Sequence, residues 1–306
     1  MISIQNQLLN IYFKDYFNTK FVPEITLKRE DQIHTFVSGN KFRKLKYNLI
    51  EAKNKQKNTL LTFGGAYSNH IAATAAAGQE FGINTIGIIR GEELIDKSDE
   101  NPTLAFAKAN GMTFHFVNRD QYKHKHTNEF QNILTEKFGD FYLLPEGGTN
   151  LLAIKGCEEI LTEEDTDFDY ICLPVGTGGT MAGIVNSSKP HQKILGFSAL
   201  KGDFLENEVK KWTSKTNWEI TDAYCFDGYA KINEELVNFI NEFKNKTNIP
   251  LDPIYTGKMM YGIFELVKTD FFPKNSRILA IHTGGLQGIQ GMNLQLKKRN
   301  LPLIKI

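Results

Sequence analysis

Short β-branched runs alternate with helix-length amphipathic stretches along most of the chain, and this alternation restricts the folds open to it. Strand-like runs fall at Ile33–Val37, Thr59–Phe63, Thr85–Ile89, Thr113–Val117, Phe141–Leu144, Tyr170–Val175, Ile194–Ser198 and Arg277–His282. Helical patterns fall between nearly all of them, at Lys41–Lys53, Ser68–Phe81, Asn101–Ala109, Thr149–Leu161, Gly178–Asn186, Glu234–Phe243 and Thr256–Thr269. Strands separated by helices of that length need crossover connections, so the reading is α/β with mostly parallel sheets covered on both faces. A chain of 306 residues holds two domains or one large one. No Pro-, Gly- or Ser-rich linker, internal repeat or low-complexity tract divides it. Two domains would therefore be joined by ordinary loops, with the chain free to cross between them more than once.

Composition removes several classes of function. The net charge of +1 gives no general attraction to nucleic acid or anionic membrane. No apolar run of about 18 residues is present, so no membrane span is expected. Met1–Tyr16 is interrupted by charge and asparagine and does not read as a signal peptide. The three cysteines, Cys157, Cys172 and Cys225, are widely spaced with no C-x-x-C, which points to a reducing, cytoplasmic setting rather than a disulfide framework. Histidines and acids show no metal-ligand clustering, so no metal is expected.

Three glycine-bearing segments carry the chemistry. In Ser38-Gly39-Asn40-Lys41-Phe42-Arg43-Lys44, two lysines three residues apart share one helix face directly after a turn. One face can then supply a Schiff-base amine and a cation for a phosphate, the two things pyridoxal phosphate requires; a solvated basic helix end is the plainer reading of such a pair. Gly64-Gly65-Ala66-Tyr67-Ser68-Asn69-His70 follows an apolar strand and opens a small-residue helix, where free amides and the Ser68 and Asn69 side chains could hold a carboxylate. Simple N-capping by Ser68 or Asn69 is the alternative, and His70 is as readily structural as catalytic.

Gly176-Thr177-Gly178-Gly179-Thr180 also links a buried strand to a helix and suits a phosphate, although it is neither a Walker loop nor a G-x-G-x-x-G motif, since position 181 is Met. Pro145–Asn150 reads equally as an interdomain loop or as part of a pocket. Tyr255-Thr256-Gly257-Lys258 and His282-Thr283-Gly284-Gly285 are loops whose hydroxyls stand at element ends, where one could meet a heteroaromatic ring nitrogen.

From about Ile33 to about Gly288, the order and spacing of these motifs resemble the D-cysteine desulfhydrase and 1-aminocyclopropane-1-carboxylate (ACC) deaminase family. That family lies within the tryptophan-synthase-β-like, fold type II pyridoxal-phosphate enzymes. The resemblance implies a two-domain α/β enzyme with open, mostly parallel twisted sheets flanked by helices. The large domain would comprise residues 1–45 and 149–306, the small domain residues 46–148, and the cofactor would lie in the cleft between them. It further implies that Lys41 carries pyridoxal 5'-phosphate, that Asn40 bonds its phenolic oxygen, and that Lys44 with Gly176, Thr177, Gly178, Gly179 and Thr180 holds its phosphate. Ser68, Asn69 and His70 would receive the substrate carboxylate, Thr256 would also contact the substrate, and Tyr255 and Tyr229 would stand by the reacting carbons. A homodimer acting on a small amino acid is implied as well.

Thr256 and Thr283 stand where ACC deaminases carry glutamate and leucine, which is the desulfhydrase-like combination. The expected reaction is α,β-elimination from a small D-amino acid, with D-cysteine giving pyruvate, ammonia and hydrogen sulfide. ACC deamination, elimination from D-serine or a chlorinated analogue, and non-catalytic binding of the cofactor or an amino acid are the alternatives. Ala66-Tyr67 replaces a usual Val-Gln, and Ala153 and Cys157 stand where Gly and Tyr are frequent. These departures bear on the substrate more than on the cofactor.

Overall fold

The computed structural model describes residues 4–9, 13 and 22–306. Most of Met1–Tyr16, and with it most of the stretch weighed as a signal peptide, lies outside the described residues. The strands in chain order are β1 (Asn6–Leu8), β2 (Glu24–Lys28), β3 (Thr59–Gly65), β4 (Asn84–Arg90), β5 (Met112–Val117), β6 (Tyr142–Leu144), β7 (Tyr170–Val175), β8 (Lys193–Ser198), β9 (Trp218–Thr221) and β10 (Arg277–Ile281). The helices are α1 (Asn40–Asn54), α2 (Asn69–Phe81), α3 (Pro102–Ala109), α4 (Arg119–Lys123), α5 (Asn128–Phe138), α6 (Leu151–Cys157), α7 (Gly179–Ser187), α8 (Phe204–Lys210), α9 (Glu234–Thr247), α10 (Thr256–Lys268) and α11 (Gly288–Lys298).

Two sheets result. The larger has the order β1-β2-β10-β7-β8-β9, and the smaller β5-β4-β3-β6. Every described pairing is parallel except β1 with β2 at one edge. In each sheet the order reverses once, between β7 and β10 in the larger and between β3 and β6 in the smaller. Ligands of open α/β sheets bind beyond the carboxyl ends of the strands at such a reversal. The loops leaving β3, β6, β7 and β10 line one common cavity, so the two reversals open onto the same space. Pro174 fits this opening: β7 pairs with β10 only through Tyr170–Cys172, and the proline comes after that ladder has ended.

Both sheets are built from the apolar runs. Every residue of β7 is buried, and α10 buries Met259, Met260, Ile263, Phe264 and Val267 along one face against the larger sheet. The small-residue helix α2 is buried from His70 to Gly78, and a Cβ at Gly78 would stand 2.3 Å from Cγ2 of Thr85. Only glycine permits that approach of helix to strand.

The structure departs from the sequence reading in places. Ile33–Val37 is not a strand: Nδ1 of His34 accepts the amides of Phe36 and Val37, and that local bonding bends the chain. The helix expected over Thr149–Leu161 is shorter, Leu151–Cys157, with Asn150 as its cap. Strands β1, β2 and β9, and helices α4, α5, α8 and α11, were not foreseen. The four strands of the smaller sheet all fall within 59–144. Helix α1 runs unbroken through position 45, however, and buries Leu45 and Ala52 with Val37 against the smaller sheet's core.

Candidate active site

The cavity has a volume of about 570 Å³ and lies where the two sheets' switch points meet. Lys41 enters it from the first turn of α1. Gly39 makes this entry possible: it sits at φ +62°, and a Cβ there would fall 1.9 Å from the carbonyl oxygen of Thr283. The Asn40 amide donates to that same oxygen, at 3.2 Å, so the start of α1 is bolted to the end of β10. Burial, and then the neighbouring Lys44 charge, push the Lys41 ammonium down to about 7. An amine so shifted is a competent nucleophile and base near neutral pH.

Lys44 is 2% exposed, and no carboxylate among the described residues pairs with it. Its Nζ donates to the Gly147 carbonyl (3.0 Å) and to Oγ1 of Thr149 (3.0 Å) and Thr177 (3.4 Å). Burial lowers its pKa. A buried cation ringed by hydroxyls lacks a counter-charge that an anion would supply. The donors for one stand alongside: α7 begins at Gly178 (φ +80°) with no side chain capping it, leaving its first amides free. Thr180 Oγ1 accepts from Asn40 Nδ2 at 2.8 Å. Gly176, Thr177, Gly178 and Thr180 line the cavity, whereas Gly179 packs against Thr149 instead. This cluster fits a phosphate, and with Lys41 it fits a phosphorylated aldehyde.

The opposite wall comes from the smaller sheet. Ser68 caps α2 by accepting the Ile71 amide at 3.3 Å, which leaves its own proton available. Oδ1 of Asn69 is buried without a partner. His70 lies fully within the wall, and its Nε2 is 2.8 Å from Thr62 Oγ1. That hydroxyl donates to the Leu144 carbonyl, so the imidazole must donate through Nε2 and keep a bare lone pair on Nδ1. Burial and the two lysine charges hold His70 neutral. Its free nitrogen has no partner and accepts rather than donates. His70 therefore lines the cavity as expected, but its chemistry suits a proton donor, not a carboxylate oxygen.

Tyr255 and Tyr229 meet edge-on at the cavity, ring centroids 6.3 Å apart and planes at 65°. Burial raises the pKa of both, so both keep their protons at neutral pH. Thr283 lines the cavity at the end of β10. Thr256 does not. It is fully buried, and its hydroxyl donates to Asp252 Oδ2 at 2.7 Å and accepts the Asp252 amide at 2.9 Å. The placement of Thr256 in contact with substrate is thereby corrected: it braces the carboxylate that caps α10.

Several lining residues escaped the sequence reading. Arg90 ends β4, Glu146 follows β6, and Gln287, Met292 and Gln295 come from α11 and its approach. Glu146 sits in the Pro145–Asn150 glycine turn already weighed as part of a pocket, though no role was attached to it, and for Arg90 strand-end position was the one signal available. Among the described residues, Glu146 is the one acidic side chain lining the cavity. It accepts from the Tyr122 hydroxyl at 2.8 Å and pairs with Lys125 at 3.3 Å.

Residues 14–284 match the family of pyridoxal-phosphate dependent enzymes. The chain belongs to that family. Its cofactor is pyridoxal 5'-phosphate, and it is an enzyme. It is 31% identical over 295 residues to the bifunctional D-cysteine desulfhydrase/1-aminocyclopropane-1-carboxylate deaminase of Arabidopsis thaliana, covering 87% of this chain and 73% of the relative. It is 26% identical over 289 residues to the D-cysteine desulfhydrase of Klebsiella pneumoniae, covering 86% and 87%. Among solved structures it resembles an ACC deaminase homologue with a TM-score of 0.80 and 25% identity, covering 94% of this chain and 90% of that one. These likenesses place it in the ACC deaminase and D-cysteine desulfhydrase group of fold type II enzymes. No helix among the described residues is long and apolar enough to cross a membrane.

Proposed function

We propose that this enzyme catalyses α,β-elimination from a small D-amino acid, converting D-cysteine and water to pyruvate, ammonia and hydrogen sulfide. The observation that carries the reading is the neutral hydroxyl of Thr283 at the strand end. Among the described residues no carboxylate lines the cavity other than Glu146, which Tyr122 and Lys125 engage. A carboxylate at the ring nitrogen would favour its protonation and strengthen the electron sink. Opening a cyclopropane whose reacting carbon carries no hydrogen calls for that strength, and expelling a thiol calls for less.

Bound pyridoxal phosphate supplies an electron sink for negative charge at the substrate's Cα. The protein's residues do the rest. Lys44, Thr149, Thr177 and the open start of α7 hold the phosphate, and Asn40 stands ready for the phenolic oxygen. Ser68 and Asn69 orient the substrate carboxylate. Lys41, poised near neutrality, takes the Cα proton. The protonated Tyr255 hydroxyl, backed by Tyr229, delivers a proton to the departing sulfur. Residues 1–45 with 149–306 form the large domain and 46–148 the small one, α1 spanning the boundary at 45, and the working form is a cytoplasmic homodimer.

ACC deamination is the second reading, favoured by the ACC deaminase names among the relatives. Sulfide and 2-oxoacid release are to be measured with D-cysteine, L-cysteine and ACC on cofactor-loaded enzyme. Sulfide from D-cysteine alone supports the proposal. 2-Oxobutyrate from ACC without sulfide replaces it with the second reading.

A further inference from the structure

We propose that Lys258 is a positioning residue that pins the 225–231 loop, and so holds Tyr229 over the cavity against Tyr255. Lys258 is 1% exposed, and its Nζ donates to the carbonyls of Cys225 and Gly228, each at 2.7 Å. Those two carbonyls are the ones that close consecutive turns. The Gly228 amide bonds Cys225 O at 3.0 Å, and the Lys231 amide bonds Gly228 O at 3.2 Å.

The loop needs such a brace. In the first turn both central residues, Phe226 (φ +51°) and Asp227 (φ +66°), are at positive φ, and in the second Ala230 sits at φ +57°. Side-chain-bearing residues adopt that region at a cost, and persist there only where surrounding contacts over-determine the backbone. Tyr229 stands between Gly228 (φ +114°) and Ala230. Its residue is 43% exposed, so packing alone does not fix it. The ammonium grips the chain at the junction of the two turns, directly before Tyr229.

The same helix end fixes the partner tyrosine. The Asp252 carboxylate accepts the amides of Ile254, Tyr255 and Thr256, at 2.9, 2.8 and 2.8 Å. Lys258 follows Tyr255 by three residues, one turn along α10. The first turn of α10 thus sets both members of the tyrosine pair: Tyr255 through its own backbone, Tyr229 through the Lys258 ammonium.

The test is Lys258→Met, which keeps the apolar stem and removes the donors. Hydrogen exchange of the 225–231 amides in the holoenzyme should accelerate roughly tenfold or more, given what hydrogen bonds to a charged group contribute, with β3, β7 and α2 unchanged. The kinetic arm rests on the elimination reading and uses whichever amino acid the enzyme turns over. There, kcat/KM should fall as far as in Tyr229→Phe, and the double variant should lose no more than the worse single one. Lys258→Gln, a milder change with a shorter amide donor, gives an intermediate rise in exchange and serves should Lys258→Met not fold. Unaltered loop exchange in the folded variants, or losses that simply add to those of Tyr229→Phe, would overturn the proposal. Because exchange needs no turnover, a failure of the D-cysteine reading leaves that arm intact and is told apart from it.

Discussion

The two walls of the cleft are finished to different degrees. On the larger-sheet wall the segments that set the tyrosine pair and the start of α1 have partners, while the first amides of α7 are uncapped. The Asp252 carboxylate accepts three amides and a hydroxyl, the Thr283 carbonyl holds the start of α1, and Lys258 grips two carbonyls. On the smaller-sheet wall, Asn69 Oδ1 and His70 Nδ1 are buried with nothing to bond. Buried polar atoms without partners are costly, and proteins keep them where a ligand supplies the missing bond. The contrast teaches that the segments carrying Tyr255, Tyr229 and the start of α1 are fixed by the protein's own bonds, whereas the start of α7 and the Ser68–His70 segment keep polar groups that the proposed reading assigns to the phosphate and the substrate. Lys41 and Lys44, on α1 between them, are the two groups whose charge awaits both.

The hardest blow to this division is at Lys41. Lys41→Ala should lower turnover by about 10³-fold or more and abolish the visible band of the lysine-bound cofactor, read by steady-state assay and absorbance. Substantial turnover with that band intact would move the chemistry elsewhere. The next pair separates the walls. Lys44→Met should weaken cofactor binding roughly 10- to 100-fold in equilibrium dialysis, with little change in substrate KM once cofactor saturates. Ser68→Ala should do the reverse, lowering kcat/KM roughly tenfold while cofactor affinity holds. Both variants shifting the same quantity would erase the distinction.

Protonation sharpens the comparison further. Burial, with Lys44 beside it, holds Lys41 near 7 in the fold, against 10.5 for an ordinary lysine. Between those values the unfolded chain binds a proton that the folded chain does not. Apoprotein stability gains from this site as pH rises through the window, by at most about 1.4 kcal/mol per pH unit. Urea unfolding of wild type and Lys41→Met at about pH 7 and about pH 9 should show the stability gap between them narrowing or reversing in the wild type's favour. A constant gap would contradict the buried-cation account. The smallest effect is expected at Thr256. Thr256→Val should cost about 1 kcal/mol of stability through the lost Asp252 bond and leave the ratio of D-cysteine to ACC activity unchanged. A changed ratio would return Thr256 to the substrate.

Much of this was readable from the chain because the decisive segments are local. Apolar strand, glycine turn and small-residue helix follow one another at Thr59–His70 and Tyr170–Thr180, and short-range rules apply to each. The failures arise where a particular contact overrides the local pattern, in some cases distant along the chain and in others within a few residues. β2 carries Lys28, which looks solvent-facing until Asp165 buries it in an ion pair at 2.6 Å. Ile33–Val37 has strand-forming residues, yet His34 takes the amides that a ladder would use. Thr256 follows Tyr255, but the helix start turns its hydroxyl toward Asp252 and away from the cavity. Arg90 and Glu146 reach the site only because β4 and β6 end there, and Lys258 has a role only because the 225–231 loop crosses it.

The central claim, that Lys41 carries the cofactor while Lys44 serves its phosphate, is tested most directly by borohydride reduction of the cofactor-loaded enzyme, followed by peptide mapping of the fixed phosphopyridoxyl group. The account predicts that the label lies on Lys41, in the peptide that continues into α1, with Lys44 unmodified. Label on Lys44, or on a lysine outside the cleft, would contradict it.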